Sequence, residues 1–350
     1  MQTDFTEVIQ AYGLQPNHCS VRPLGNGHIN HTFLVETTKS QRYVLQQLNT
    51  DIFKKPEQIA HNWKMAKSHI EKIAPDYPMI AYTPTVKGEL LFVDSDNQTW
   101  RMTNYFDQTV CFETLDNIDF ASKTARAFGR FAALLSQIDV NLFYEILPDF
   151  HNLNYRQKQF DQAVAQASAE RLNEAAGLIA RLNANRWITS FYNEVIHRLP
   201  RRIVHMDAKI SNVLFDVHQH EVRCLIDLDT LMPATLLSDV GDMIRSMSCA
   251  AAEDERDLSI IKIRPGFVEA IVSGYAAEID DIQPIEKKLL PFGGLMLVYM
   301  QALRFLTDFL ENDHYYHTRY PGHNLDRARN QETLLSELLC EPLIFGKYPF

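Results

Sequence analysis

The periodicity of the apolar residues changes once along the chain, and this change limits the folds that the sequence can adopt. Before about residue 106, runs such as residues 31–36 and 42–48 alternate in the manner of β-strands, with one helical pattern beginning at Pro56. Later apolar residues recur every three or four positions, which predicts an α+β chain with a small β-rich lobe and a larger helical lobe. The predicted lobes are residues 1–105 and 106–350, and the predicted long helices are residues 118–138, 155–167, 170–199, 264–278 and 284–310.

Composition excludes several classes of protein. The chain has 350 residues, of which 46% are hydrophobic and 22% charged, as in an ordinary globular protein. Its formal net charge is −10, and no basic stripe occurs, so we expect no nucleic-acid partner. No uninterrupted apolar run approaches the roughly 18 residues of a membrane span, so we expect no membrane partner either.

The N-terminus and the cysteines indicate a compartment. The first residues lack the positive and apolar regions of a signal peptide, so a cytoplasmic location is expected. The 5 cysteines are scattered and never spaced as CxxC, which favours free thiols in a reducing environment.

One β-rich island, at residues 203–216 and 222–230, interrupts the helical part and contains the most specific pattern in the sequence. Asp207 is followed by Lys209 two positions later and by Asn212 five positions later, and Asp227 comes after a short predicted hairpin. This spacing suits phosphoryl transfer, in which a carboxylate holds the acceptor hydroxyl, a cation neutralises the γ-phosphate, and an amide with a second carboxylate holds Mg²⁺.

The arrangement resembles the aminoglycoside phosphotransferase-like, or kinase-like, superfamily over nearly the whole chain. Members of that superfamily have a two-lobed protein-kinase fold and phosphorylate small molecules. Three segments are most similar to the N-acetylhexosamine 1-kinases, which phosphorylate the anomeric hydroxyl of N-acetylglucosamine or N-acetylgalactosamine. These segments are HINHT at residues 28–32, IDLDT at 226–230 and RFLTD at 304–308.

The resemblance implies ATP and Mg²⁺ as cofactors, a sugar as substrate, and a role for each matching residue. Asp207 would be the catalytic base, with Lys209 facing the transferring phosphate. Asn212 and Asp227 would bind Mg²⁺. The remaining matches are nucleotide-binding residues, Gly25, Gly27, Asn104 and Tyr105, and substrate-binding residues, Asn30, His31, Asp229 and Arg304.

Protein kinases carry a lysine on the third strand, but the comparable run here, residues 43–47, contains none. Either Gln46 or Gln47 substitutes for it, or the cation comes from elsewhere. The missing lysine also motivates one of two alternatives to the sugar kinase that stay open. One is a kinase of another alcohol, such as homoserine, choline or an aminoglycoside, and the other is a nucleotide-binding regulatory pseudokinase.

Other polar and aromatic residues receive simpler interpretations. Asp239 occupies the place where kinase-like folds keep an acidic residue that braces the catalytic loop. His218 and His220 form an HxH in a polar turn, for which solvent exposure is the expectation. A group of aromatic side chains at residues 314–320 either stacks on a sugar or closes the helical lobe.

Overall fold

The computed structural model describes residues 4–25, 29–114, 117–344 and 346–348. The chain has the α+β composition that the periodicity predicts. It divides into two compact units, each assembled from several segments. The first unit comprises Met1–Val110, Asn141–Leu147 and Leu214–Leu231, and the second comprises Cys111–Val140, Pro148–Val213 and Met232–Phe350. The lobe boundary at residue 105 stays a prediction.

The first unit is built on a six-stranded antiparallel sheet, in which five strands follow the order β1-β2-β3-β6-β4 and β5 also pairs with β6. The short helix α1 (Thr6–Ala11) covers one face of this sheet, where Tyr12 donates a hydrogen bond to the carbonyl oxygen of Trp100 at 3.0 Å. The strands are β1 (Cys19–Pro23), β2 (His31–Thr37), β3 (Arg42–Leu48), β4 (Tyr82–Thr83), β5 (Phe92–Val93) and β6 (Thr99–Asn104).

Helix α2 (Pro56–Ile73) connects several segments of the first unit. Pro56 begins the helix, since a proline at the first position loses no hydrogen bond there. Trp63 stacks on Tyr82 with ring centroids 4.2 Å apart. The Asn62 amide donates to the carbonyl oxygens of Tyr144 and Leu231, both at 2.8 Å. This buried side chain therefore holds the later segments of the unit against the helix.

A smaller sheet, in the order β10-β9-β7, completes the strands of the first unit. Strand β7 (Thr109–Val110) pairs antiparallel with β9 (Val213–Asp216), and β10 (Val222–Leu225) follows after a turn. The predicted hairpin of the β-rich island is therefore present, and it leads directly to Asp227.

The second unit is helical apart from the pair β8 (Arg202–Val204) and β11 (Met232–Ala234). Its helices are α3 (Ile118–Leu134), α4 (Leu153–Gln166), α5 (Ala169–Ala184), α6 (Trp187–Val195), α7 (Leu236–Met247), α8 (Phe267–Ala276), α9 (Pro284–Leu310) and α10 (His323–Leu339).

Helix α9 is the central element of the second unit, and it packs against α7 and α10. A Cβ placed on Gly241 would lie 2.3 Å from the carbonyl oxygen of Gly293, so α7 and α9 cross in direct backbone contact. Helix α9 is also long and apolar enough to cross a membrane, but 89% of its most apolar window is buried within the protein. The length and composition of α9 are therefore also those of a core helix.

The helical predictions differ from the structure in instructive places. The segment 170–199 is two α-helices followed by a 3-10 turn, because α5 ends at Ala184 and α6 begins at Trp187. Helices α7 and α10 were not predicted, because each buries polar side chains that interrupt the apolar repeat. Those of α10 include Asn324, Asn330, Gln331 and Glu332.

Candidate active site

In the loop after β8, in the second unit, two side chains bind the carboxylate of a third. The amide of Asn212 donates to Oδ2 of Asp207 at 2.7 Å and to the carbonyl oxygen of Asp207 at 2.8 Å. Nζ of Lys209 lies 2.8 Å from the same Oδ2. In the described chain, Oδ1 of Asp207 receives no hydrogen bond, and the side chain is 22% exposed. One carboxylate oxygen of Asp207 is therefore fixed by the protein and the other is open to a ligand.

Electrostatics keep Asp207 ionised. Burial would raise the pKa of this carboxyl, but the charge and hydrogen bond of Lys209 outweigh burial, with help from His205 and Asn212. The pKa of Asp207 is therefore held below its usual range. Such a group is a hydrogen-bond acceptor at neutral pH.

Asp239, on α7, braces the backbone of this loop. Its carboxylate accepts hydrogen bonds from the N–H groups of Met206 at 2.9 Å and His205 at 3.3 Å, and from the hydroxyl of Tyr275 at 3.2 Å. Met206 has a φ of 68°, which is costly for a residue with a side chain. The prediction that Asp239 supports the loop is confirmed, since its hydrogen bonds stabilise this backbone next to Asp207.

The two predicted metal ligands have chemistry that fits Mg²⁺. The hydrogen bonds from the amide nitrogen of Asn212 leave its Oδ1 without a partner among the described residues. Asp227, in the first unit, offers a carboxylate from a residue with a φ of 60°. Mg²⁺ prefers hard oxygen ligands and takes few of them from protein. No group of three or more His, Cys, Asp or Glu suited to a metal occurs in the described part of the chain.

A buried ion pair joins β6 to the segment that follows β10 in the first unit. The guanidinium of Arg101 binds both oxygens of Asp229, with one contact at 3.0 Å, and the two side chains are 4% and 1% exposed. The amide of Asn30 donates to Asp229 at 2.7 Å, and its oxygen accepts the N–H of Asn49 at 2.9 Å. Asp229 and Asn30 are thus brought together and bonded to protein, and their direct contact with substrate stays a prediction.

The same ion pair bears on the missing third-strand lysine. Oε1 of Gln46, on β3, accepts a hydrogen bond from Nε of Arg101 at 2.8 Å, so Gln46 contributes to the binding of a cation from the neighbouring strand β6. Burial opposes the charge of Arg101, but Asp229 outweighs burial and raises the pKa of Arg101 above its usual value. Gln47 instead donates to Gln98 at 2.8 Å.

The predicted nucleotide-binding residues lie in the first unit. Gly25 has a φ of +71°, a conformation that favours glycine, whereas Gly27 falls outside the described residues. Asn104 ends β6, and its side-chain oxygen accepts the N–H of Ala81 at 2.7 Å. The ring of Tyr105 lies 5.6 Å from the guanidinium carbon of Arg42. Their nucleotide contacts stay predictions.

Of the predicted substrate-binding residues, His31 begins β2 and is exposed, and Arg304 lies on α9. The guanidinium carbon of Arg304 is 5.6 Å from the ring centre of Phe150, 6.0 Å from that of Tyr315 and 5.5 Å from that of Tyr316. We call these four residues the arginine–aromatic cluster. In the described chain Arg304 forms no ion pair and donates only to the neutral amide of Gln301, at 3.2 Å.

The loop that carries two rings of this cluster is fixed by Asp308, the last residue of the RFLTD segment. Its carboxylate accepts the N–H groups of Tyr315 at 2.8 Å and Tyr316 at 2.9 Å. The buried amide of Asn324 donates to Asp308 at 2.8 Å. Arg304 and Asp308, one turn apart on α9, therefore contact the ring and the backbone of the same loop.

Two residues that sequence reasoning missed take part in these arrangements. Arg101 occupies a strand whose other residues are almost all buried, and a charged residue in such a strand was an available signal. His151 precedes α4 and stacks on Phe150, with ring centroids 4.5 Å apart. Nothing in the local sequence around His151 distinguishes it from an ordinary loop histidine.

The chain belongs to the phosphotransferase enzyme family, whose profile matches residues 20–281. A microcompartment-associated aminopropanol kinase is similar in structure, with a TM-score of 0.63 and 16% identity over 95% of this chain and 96% of that chain. An aminoglycoside phosphotransferase from Alicyclobacillus acidocaldarius has a TM-score of 0.61 and 15% identity over 92% of each chain. The ethanolamine kinase of Plasmodium vivax has a TM-score of 0.58 and 16% identity over 97% of this chain and 89% of that chain. At these identities the likeness establishes a shared kinase-like fold.

Proposed function

We propose that the protein transfers the γ-phosphoryl group of ATP to the anomeric hydroxyl of an N-acetylhexosamine, giving the 1-phosphate and ADP. The observation that carries the phosphoryl-transfer part is the state of Asp207. One oxygen of this carboxylate is held by Lys209 and Asn212, and the other has no partner in the described chain. An ionised, oriented carboxylate with one open oxygen is what an attacking hydroxyl requires.

The chemistry follows from these contacts. Asp207 accepts the proton of the C1 hydroxyl while the oxygen of that hydroxyl forms a bond to the γ-phosphorus and the bond to the ADP oxygen breaks. Lys209 stabilises the charge on the transferring group. Asn212 and Asp227 would hold Mg²⁺, which neutralises phosphate charge when it is bound.

An uncharged acceptor is favoured by the charge of the arginine–aromatic cluster. Arg304 has no carboxylate partner in the described chain, so its positive charge repels a cationic acceptor. The solved relatives named above include kinases of aminopropanol and ethanolamine, both of which are amines. A neutral sugar would avoid this repulsion, and its hydroxyl and amide groups would accept hydrogen bonds while its apolar face stacks on the rings.

The proposal is tested with the purified chain, ATP and Mg²⁺ in a coupled assay of ADP formation. The acceptors are N-acetylglucosamine, N-acetylgalactosamine, glucosamine, homoserine, choline, ethanolamine and an aminoglycoside. We expect turnover of at least one N-acetylhexosamine, with a phosphorus NMR signal of an anomeric phosphate in the product.

Two results would contradict the proposal in different ways. Turnover of an amine alcohol without turnover of either N-acetylhexosamine would leave the phosphotransferase and remove the sugar. Tight nucleotide binding with no ADP formed from any acceptor would favour the regulatory pseudokinase.

A further inference from the structure

His151 has a buried ring nitrogen that takes part in neither the hydrogen bonds around Asp207 nor the contacts of the arginine–aromatic cluster. Its Nδ1 is buried, and it has no hydrogen-bond partner in the part of the chain that the structure describes. A buried polar atom without a partner is costly, and in native proteins it calls for an explanation such as a ligand.

The position of His151 is fixed by the start of α4. Asn152 caps this helix by accepting the N–H of Tyr155 at 3.3 Å, and its own amide donates to Asp149 at 2.6 Å. The imidazole ring then lies almost parallel to the ring of Phe150, with an interplanar angle of 15°. The orientation of the imidazole is therefore set by backbone and stacking contacts before any ligand binds.

His151 lies next to the arginine–aromatic cluster, because the ring of Phe150 on which it stacks is 5.6 Å from the guanidinium carbon of Arg304. Burial is the largest cause that lowers the pKa of His151, the charges of Arg304, Arg245 and Arg156 also lower it, and Asp207 opposes them. Together these causes lower the pKa of His151 to about 3. The imidazole is therefore neutral at physiological pH, and it offers one N–H donor and one nitrogen acceptor.

We propose that His151 is a substrate-binding residue whose Nδ1 forms a hydrogen bond with a hydroxyl or amide group of the acceptor, bound beside Arg304 and Asp207. This inference rests on the proposed function only in requiring an uncharged alcohol acceptor. A neutral imidazole suits such an acceptor, because it bonds to hydroxyl and amide groups without adding a charge. The bond would make His151 a determinant of specificity, since a site that bonds a given group discriminates against analogues that lack it.

The test compares His151→Phe, which retains the stacked ring and removes both nitrogens, with His151→Asn. His69→Asn is the matched control, because Nε2 of His69, on α2 of the first unit, is also buried without a partner in the described chain. We expect each His151 variant to raise the KM of the acceptor about 10-fold with the KM of ATP unchanged. The control should move neither constant.

Acceptor analogues separate a binding role from a structural one. Each analogue lacks one hydroxyl or the acetamido group of the acceptor that the wild-type protein phosphorylates. With the wild type, we expect kcat/KM for one analogue to be about 10-fold lower than for the parent acceptor. With His151→Phe, kcat/KM should be the same for this analogue and for the parent acceptor, because the group that the analogue lacks has already lost its partner. Identical discrimination in both proteins, or an equal acceptor effect in His69→Asn, would overturn the inference.

Failure of the sugar proposal and misfolding of the variants can each be distinguished from failure of this inference. If the wild type phosphorylates an alcohol other than an N-acetylhexosamine, the sugar proposal fails in the wild type, and the same comparison is made with that alcohol. If the His151 variants do not fold by circular dichroism, the wild type is examined by nitrogen NMR of its 13 histidines. Saturating acceptor should shift at least one imidazole signal, and no shift at any of them would refute the contact.

Discussion

At the scale of the residue, the predicted site depends on which polar atoms already have partners. Asp207 keeps one carboxylate oxygen for a ligand, whereas both oxygens of Asp229 are bonded to Arg101 and Asn30. From the sequence motifs alone, the two aspartates are equally good candidates for the site. Their three-dimensional neighbours distinguish them, since one oxygen of Asp207 is left without a hydrogen bond in the described chain whereas Asp229 neutralises a buried arginine.

Replacing Asp207 with Asn should abolish measurable transfer while leaving the chain folded. Loss of a general base costs roughly 10²–10⁴-fold in rate, and the amide cannot accept the proton. The measurement is kcat for ADP formation, with the melting temperature as the check on folding. Asp51→Asn, at an aspartate whose side chain is 98% exposed, is the matched control and should keep full activity. Full activity of Asp207→Asn would remove Asp207 as the base.

Acid should destabilise the protein partly through His151. The pKa of His151 is lowered to about 3 in the folded chain. The unfolded chain takes up this proton below its ordinary value of about 6.5, and the folded chain does not. Stability from this group is therefore complete above pH 7 and falls as the pH drops toward 3. Between pH 7 and 5 the loss is about 2 kcal/mol.

The free energy of unfolding, measured in urea at both pH values, checks this prediction. Wild type should lose about 2 kcal/mol more than His151→Phe over the same interval, because the variant has no imidazole at that position. An equal loss in the two proteins would mean that His151 is protonated in the folded state.

At the scale of the element, periodicity predicts those helices and strands whose buried residues are mainly apolar. Strand β3 and helix α9 have the predicted bounds, residues 42–48 and 284–310. Helix α7 was not predicted from the sequence. It buries Asp239 and Asp242 together with Gly241, so its buried face does not show an apolar repeat. Polar side chains that are buried to support a site interrupt the very pattern by which a helix is found in sequence.

The contact between α7 and α9 should tolerate no side chain at Gly241. The added methyl group of Gly241→Ala would meet the carbonyl oxygen of Gly293 at 2.3 Å, so the helices must separate. We expect a loss of about 3 kcal/mol in the free energy of unfolding. The activity of the folded protein should also fall, because α7 carries Asp239.

Gly177→Ala, on an exposed face of α5, provides the control. Its new methyl group has its nearest neighbour at 3.7 Å, an ordinary contact. Alanine favours a helix over glycine by about 1 kcal/mol, so this variant should be more stable than wild type. Urea denaturation of the two variants should therefore give shifts of opposite sign, and a stabilised Gly241→Ala would show that the helices do not touch there.

At the scale of the whole molecule, the α+β class and the phosphotransferase family were accessible from the sequence, and the place of residues 214–231 in the first unit was not. The class follows from the change in periodicity. The spacing of Asp207, Lys209 and Asn212 indicates phosphoryl transfer, and the family was expected from the resemblance of these motifs, which the family profile confirms. Residues 214–231 belong to the first unit although they follow residues 205–212 of the second unit, because Asn62 and β7 bind them there. Contacts between residues so far apart in the chain do not change the local spacing of apolar residues, so periodicity cannot reveal them.

The expectation of free thiols is confirmed for the cysteines, all of which are unpaired. We therefore predict that a reducing agent leaves the melting temperature of the whole protein unchanged. Thiol titration in guanidinium without reductant should count 5 groups per chain. A lower count, together with a melting temperature that falls on reduction, would reveal a disulfide that the fold does not contain.

The partnership of Gln46 with Arg101 affects how such an enzyme would be detected in a cell extract. Reagents that acylate the lysine beside a kinase's nucleotide phosphates need an amine on the third strand, and β3 has none. The guanidinium of Arg101 is far less nucleophilic than a lysine amine and is bonded to Asp229. Chemical surveys of kinases by amine labelling would overlook this protein at that strand, whereas a survey that follows phosphorylated products would register it.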